Sequence, residues 1–186
     1  MVIKTASLVR LPAYRAWQFI HALGARSLGL DEWDEVAVVL SPAQQALFRQ
    51  MANHDQQHGL EVMRALARQY AGNQDLLAAA LLHDVGKALY PLRLWERSLV
   101  VLARVLRPSW FQRWSDERQD PWGWRRPFVL YQHHPKWGAE MAAAAGCAPL
   151  TGRLIGRHHD PLPPTSPMDD PEDMLLRDLQ QADGAH

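Results

Sequence analysis

The stretch DLLAAALLHDVGKAL, Asp75 to Leu89, constrains this chain more than any other segment. Its apolar residues fall on every side of a helical wheel, so the helix they form has no solvated face and belongs at the centre of a packed domain. At the end of that apolar run sit His83 and Asp84. Burying such a pair costs several kcal/mol unless partners compensate. A metal cation is one such partner, because it favours neutral imidazole and ionised carboxylate, and a carboxylate can bridge two ions. Lys87 lies four residues after His83 and three after Asp84, within reach of the same face. Gly86 fits either the close approach of a neighbour or a helix C-cap.

What can surround that helix is bounded by composition. A chain of 186 residues is the size of one domain with a sizeable core. The apolar fraction of 47% and eight tryptophans exclude disorder. Lys plus Arg equals Asp plus Glu at 20 each, which excludes a chain built mainly to coat nucleic acid or an anionic membrane, although a local basic patch stays open. Cys147 is the only cysteine, so an intramolecular disulfide and a thiolate-rich zinc site are both excluded. Any bound metal must be held by nitrogen and oxygen. No run approaches the ~18 apolar residues of a membrane span. Pro12 and charges break the opening MVIKTASLVRLPAYRAW before a signal-type apolar region can form, so a cytoplasmic location is expected.

The periodicity is helical nearly throughout, and no alternation persists long enough for a sheet. Residues 12–28 read as a first helix, and Asp31 to Leu40 as a second segment. Ser41-Pro42 looks like an N-cap and first helical residue opening a helix to about Met51. Asn53-His54-Asp55 reads as a break, followed by a helix with Leu60, Met63, Leu66 and Tyr70 in step until Gly72. Asn73 or Asp75 can cap the central helix. From Pro91 to Leu106 another helix is expected, with Arg93, Arg97, Arg104 and Arg107 on one side and Trp95, Leu99, Leu102 and Leu106 off it. That side is either a solvated face or a basic amphipathic surface touching phosphate or a membrane.

Residues 107–127, with five Arg and four Trp, read as an ordered lid or insertion. Aromatics interleaved with arginine can stack bases, but tryptophans capping a small core look the same, and nucleic acid is not the expected partner. A helix is expected after Pro135 to near Gly146, a shorter one from Leu150 to Arg157, and a last one from Glu172 to Ala182 after the proline-rich loop DPLPPTSPMDDP.

Nine histidines complete the picture. His21 and His186 stand apart; the others group as His54 with His58, His83, His133 with His134, and His158 with His159. Only Lys4, Lys87 and Lys136 are lysines, and two of those three sit beside histidine groups.

The order His58, then His83-Asp84 in LLHDVGK, then a distal aspartate in LQQADGAH resembles the HD superfamily of metal-dependent phosphohydrolases, with HDVGK similar to its HDIG-type variant. His134-Pro135 followed by Gly138, and the His158-His159 doublet, resemble the two-metal branch that includes the HD-GYP phosphodiesterases. The resemblance spans roughly residues 42–185. It implies an all-α fold: a single compact HD-type helical domain over 42–186, an N-terminal helical extension over 1–41 packed on it, and a Trp/Arg-rich insertion at about 90–130.

The resemblance also implies metal ligands at His58, His83, Asp84, His134, His158 and Asp183, with His159 a further candidate and Asp84 bridging two ions. Asp84 and Lys87 are the implied catalytic groups, Lys87 as a phosphate contact. His133 is read as a surface or supporting residue, Cys147 as a small buried apolar residue, and Asp178 as solvent-facing. HHDPLPP lacks the Asp-Gly-x-Gly-Tyr-Pro run of HD-GYP proteins, which speaks against cyclic di-GMP as substrate. His54 stands where three-metal members carry glutamate, which favours two ions.

The implied activity is hydrolysis of a phosphate mono- or diester, a nucleotide by family precedent. It would use two divalent ions drawn from Fe, Mn, Co or Zn, a choice that imidazole and carboxylate ligands leave open. Two rival readings use the same cage: a di-iron oxygenase of HD type, and a metal-bound nucleotide-binding or regulatory module without turnover. Nothing in the chain speaks to oligomeric state.

Overall fold

A computed structural model describes residues 26–116, 123–161 and 170–185. Among the described residues there are nine α-helices and one 3-10 turn, and no strand. In chain order they are α1 (Leu30–Val39), α2 (Pro42–Phe48), α3 (Asn53–Tyr70), α4 (Gln74–Leu82), the 3-10 turn Val85–Leu89, α5 (Leu94–Leu106), α6 (Pro108–Trp114), α7 (Arg126–Ala144), α8 (Pro149–Arg157) and α9 (Pro171–Ala185).

The all-round apolarity of α4 has the expected result, with every residue from Leu76 to Leu82 buried. It is enclosed by α3 and α8, with α1 and α9 closing the remaining sides. Asn73 caps α4 by accepting from the Leu76 amide at 3.1 Å. Thr151 donates to the Asp75 carboxylate at 3.0 Å and ties the start of α8 to the start of α4. Ser41 and Gln44 form a reciprocal capping box at the start of α2, as Ser41-Pro42 predicts.

Several boundaries differ from the sequence expectation. Most of the expected first helix lies outside the described residues, and its last part, 26–28, is not helical. Asn53-His54-Asp55 is not a break: it forms the first turn of α3, where such residues are well placed to satisfy exposed amides. The central segment is not one helix, because α4 stops at Leu82 and the chain tightens into the 3-10 turn after Asp84.

The largest correction concerns Pro135. It lies inside the 19-residue α7 rather than ahead of it. Proline removes the amide that would bond to the carbonyl of Tyr131, but His134 Nδ1 donates to that carbonyl at 2.9 Å, so the helix continues. The last helix also starts one residue earlier and ends three later than expected.

A second, smaller cluster of Val100, Phe111 and Phe128 joins α5 and α6 to the flank of α7, with Trp114 and Tyr131 packed against it. The described part of the Trp/Arg-rich segment is therefore ordered around a core of its own; residues 117–122 lie outside the described set.

Candidate metal centre

Three glycines set how closely the helices that carry the histidines approach. A Cβ on Gly59, next to His58, would lie 2.8 Å from the carbonyl oxygen of Leu81. One on Gly86 would lie 2.1 Å from the carbonyl oxygen of His134, and one on Gly138 would meet the Gly86 nitrogen at 3.2 Å. Gly86 thus serves close approach rather than a helix cap. These contacts press α3 onto α4 and the 3-10 turn onto α7, bringing His58 beside His83 and His134 beside Asp84.

Three of the histidines are aimed by one device. His83 follows the last residue of α4, and His158 follows the last residue of α8, where terminal carbonyls lack regular helical partners. His134 faces the carbonyl freed by Pro135. Each Nδ1 donates to the carbonyl three residues earlier: His83 to Ala80 at 2.8 Å, His134 to Tyr131 at 2.9 Å and His158 to Ile155 at 2.7 Å. A carbonyl can only accept, so the proton sits on Nδ1, and Nε2 is the atom turned inward.

The inward atoms converge on Asp84, itself buried. His134 Nε2 lies 3.2 Å and His158 Nε2 3.9 Å from its Oδ1; His83 Nε2 lies 3.6 Å and Lys87 Nζ 2.5 Å from its Oδ2. Asp183, from α9, reaches the same place: its Oδ1 accepts from His58 Nε2 at 2.8 Å and stands 3.6 Å from His83 Nε2. The Nε2 atoms of His83, His134 and His158 are buried and have no hydrogen-bond partner. Three such atoms around a buried carboxylate are costly unless something electron-deficient meets them.

The electrostatics agree. Burial pushes the Asp84 carboxyl up, but Lys87, His83 and His134 outweigh it and hold it well below the usual carboxylate range. Burial lowers His134, and burial with the neighbouring imidazoles lowers His158 much further, so both are neutral near pH 7. His83 differs: burial disfavours its charge, yet Asp84 and Asp183 raise it to about 9. The two carboxylates thus call for positive charge at the site, which a cation meets while leaving imidazole lone pairs free to ligate.

Two trios have ligand atoms within 4.8 Å of one another: His58, His83 and Asp84, and His134, His158 and His159. His159 is at the surface, its ring 4.8 Å from that of His134 and 5.5 Å from that of Tyr131. The six residues expected as ligands therefore lie in one cluster, with His159 at its edge. His54 lies aside, its Nε2 3.1 Å from Asp55. His133 points elsewhere, with Nε2 3.0 Å from the carbonyl oxygen of Ser115. Asp178 is not simply solvent-facing, since it accepts a hydrogen bond from Tyr70 that ties α9 to α3. Cys147 is half-buried against the core. A groove of about 670 Å³ beside α7, lined by Arg104, Gln112, Gln132 and His133 among others, includes none of the clustered histidines.

Two contributors were not singled out from sequence. Gly59 follows a candidate ligand directly, which is its only sequence signal. Tyr131 supplies the carbonyl for His134, and its hydroxyl accepts from Arg104 of α5. Its spacing of three before His134, combined with Pro135, was the available clue.

An all-helical domain with a buried His and Asp cluster able to hold metal defines a recognisable class of helical metal-site domain. A family model described as HD domain matches residues 57–185. The chain belongs to the HD domain family, whose members are generally metal-dependent phosphohydrolases. The match is to the HD domain as a whole and does not distinguish its HDIG and HD-GYP variants. No curated protein and no solved structure matches the chain.

Proposed function

We propose that this protein is a metal-dependent phosphohydrolase acting on a phosphate mono- or diester, with a nucleotide as the substrate class that its family suggests. The observation that carries the reading is the set of three buried, unpartnered Nε2 atoms around Asp84. The proposed ligands are His58, His83, Asp84, His134, His158 and Asp183, with His159 as an edge ligand. Two ions suit two trios, one of which includes the Asp84 carboxylate, whose Oδ1 and Oδ2 face different histidines. Such ions supply Lewis acidity towards a phosphoryl oxygen and acidify water near neutral pH.

The chain's own residues do the rest. The backbone carbonyls of Ala80, Tyr131 and Ile155 hold three rings in the tautomer that presents Nε2. Asp84 Oδ2 holds the ammonium of Lys87, which is partly exposed and available to a phosphoryl oxygen as negative charge grows there. His58 and Asp183 are also partly exposed, so the substrate's way in lies past them. No side-chain nucleophile is needed. In the same reading, residues 42–186 form the catalytic domain and 1–41 an extension, with Val36 of α1 buried in the main core.

The test is metal content per chain, by mass spectrometry on untagged protein purified anaerobically without chelator, followed by a phosphate-ester screen with the metal found. About two equivalents and phosphate release support the proposal. Bound iron with oxygen uptake and no phosphate release would move the chain to the oxygenase reading. Bound metal with tight nucleotide binding and no turnover would move it to the regulatory one.

A further inference from the structure

Helix α5 is apolar on two sides, and only one is used. Val100 is buried and packs in the small cluster with Phe111 of α6 and Phe128 of α7. On the other side, Trp95, Leu99, Leu102, Val105 and Leu106, continued by Trp110 of α6, are all exposed. The spacing 95, 99, 102, 106 keeps four of these on one stripe. A helix pair that needed only to cap the core would carry polar residues there.

The charges around that stripe have one sign. Arg107, over the ring of Trp110, and Arg113 are exposed, whereas the only acid of the two helices, Glu96, is buried, accepting from the Arg93 amide and facing Arg126; Arg93 and Arg104 lie on the opposite side of α5, where Arg104 donates to Tyr131 of α7. The chain as a whole has zero formal charge, so this is a local concentration of cations beside exposed leucines. Tryptophan at the ends, leucine and valine between, and Arg107 and Arg113 at one end match the layers of an anionic bilayer surface: acyl boundary, glycerol region and headgroup phosphates. No described helix is long and apolar enough to cross a membrane, so the contact would be peripheral.

We propose that the outer face of α5 and α6 docks on an anionic lipid bilayer. Leucine and tryptophan side chains enter the boundary between headgroups and acyl chains, and Arg107 and Arg113 meet lipid phosphate. The claim is independent of the proposed hydrolysis, because its surface shares no residue with the candidate metal centre.

The test is flotation of the full chain with vesicles of phosphatidylcholine alone and of phosphatidylcholine with phosphatidylglycerol. Binding to the anionic vesicles, weakened by added salt, is expected. The paired substitution Leu102→Glu with Leu106→Glu should lower partitioning about tenfold or more, while Val38→Glu, at a still more exposed position on α1, leaves it unchanged. Quenching of tryptophan fluorescence by brominated lipid in the unsubstituted chain gives a second readout, and Trp95→Phe with Trp110→Phe should remove most of it. The proposal is overturned if the chain does not float with anionic vesicles, or if floating survives the paired substitution. A dimer in solution that the paired substitution splits, without vesicle binding, would assign the face to a second copy instead.

Discussion

The main core around α4 and the small cluster beneath α5 and α6 are both apolar contacts between helices, yet they treat their surroundings differently. Around α4, leucines and alanines enclose His83, Asp84, His134 and His158, so the packing itself positions the polar cluster. Beneath α5 and α6, Val100, Phe111 and Phe128 seal a short contact and leave leucines and tryptophans outside. In the first region burial is complete and polar atoms lack partners; in the second, apolar side chains do. Each region shows by its unmet need what kind of ligand it suits.

Substitutions can break or sharpen that contrast. The largest effect is expected for Asp84→Ala, which removes the group the clustered histidines share: metal retention should fall by at least about a hundredfold, and phosphate release with it, measured by metal analysis and steady-state assay. Full activity in that variant would refute the site. Next, Phe128→Ala should cost about 3–5 kcal/mol, read by denaturant unfolding. Hydrogen exchange should speed up first in α5 and α6 while metal content holds; loss of metal in step would mean the two regions are one unit.

Gly86→Ala sets a methyl against the backbone of His134 and should cost about 1–3 kcal/mol together with part of the metal affinity. Gly72→Ala, where nothing lies within 4 Å, is the matched control and should be neutral or slightly stabilising. The smallest effect belongs to Tyr131→Phe, which removes the hydroxyl that Arg104 donates to but keeps the carbonyl that holds His134. A loss of about 1 kcal/mol with unchanged metal content is expected. Acid should act on the first region alone. Imidazoles bind metal only when deprotonated, so retention should decline as pH falls, with His83, raised to about 9 by Asp84 and Asp183, taking a proton before the lowered His134 and His158, while the α5 and α6 contact holds.

Much of this was legible in the sequence, for physical reasons that differ by element. The burial of α4 followed from an apolar run with no polar face, and the cap at Ser41 from side-chain chemistry that acts within three residues. The family pattern brought His58, His83, Asp84, His134, His158 and Asp183 together as candidates, and the fold places all six in one cluster. Pro135 misled because its usual effect is local, whereas here the neighbouring His134 ring replaces the missing amide bond. Asn53 misled for a related reason: cap-forming residues also suit a first helical turn. Gly59 and Tyr131 act through contacts with residues distant in the chain or with backbone atoms, which no single-position pattern reports.

The hydrogen bond between His58 and Asp183 joins residues 125 positions apart. Its partners arrive on α3, among the first helices, and on α9, the last. The candidate centre is therefore complete only when the final helix has docked, and early binding would find only part of the donor set. Cations held among these six residues would close several long loops at once, a constraint whose entropic advantage grows with loop length. Such ions would act as a clasp on the finished fold, and lifting α9 would take Asp183 away from them. Opening of the last helix should then speed metal release.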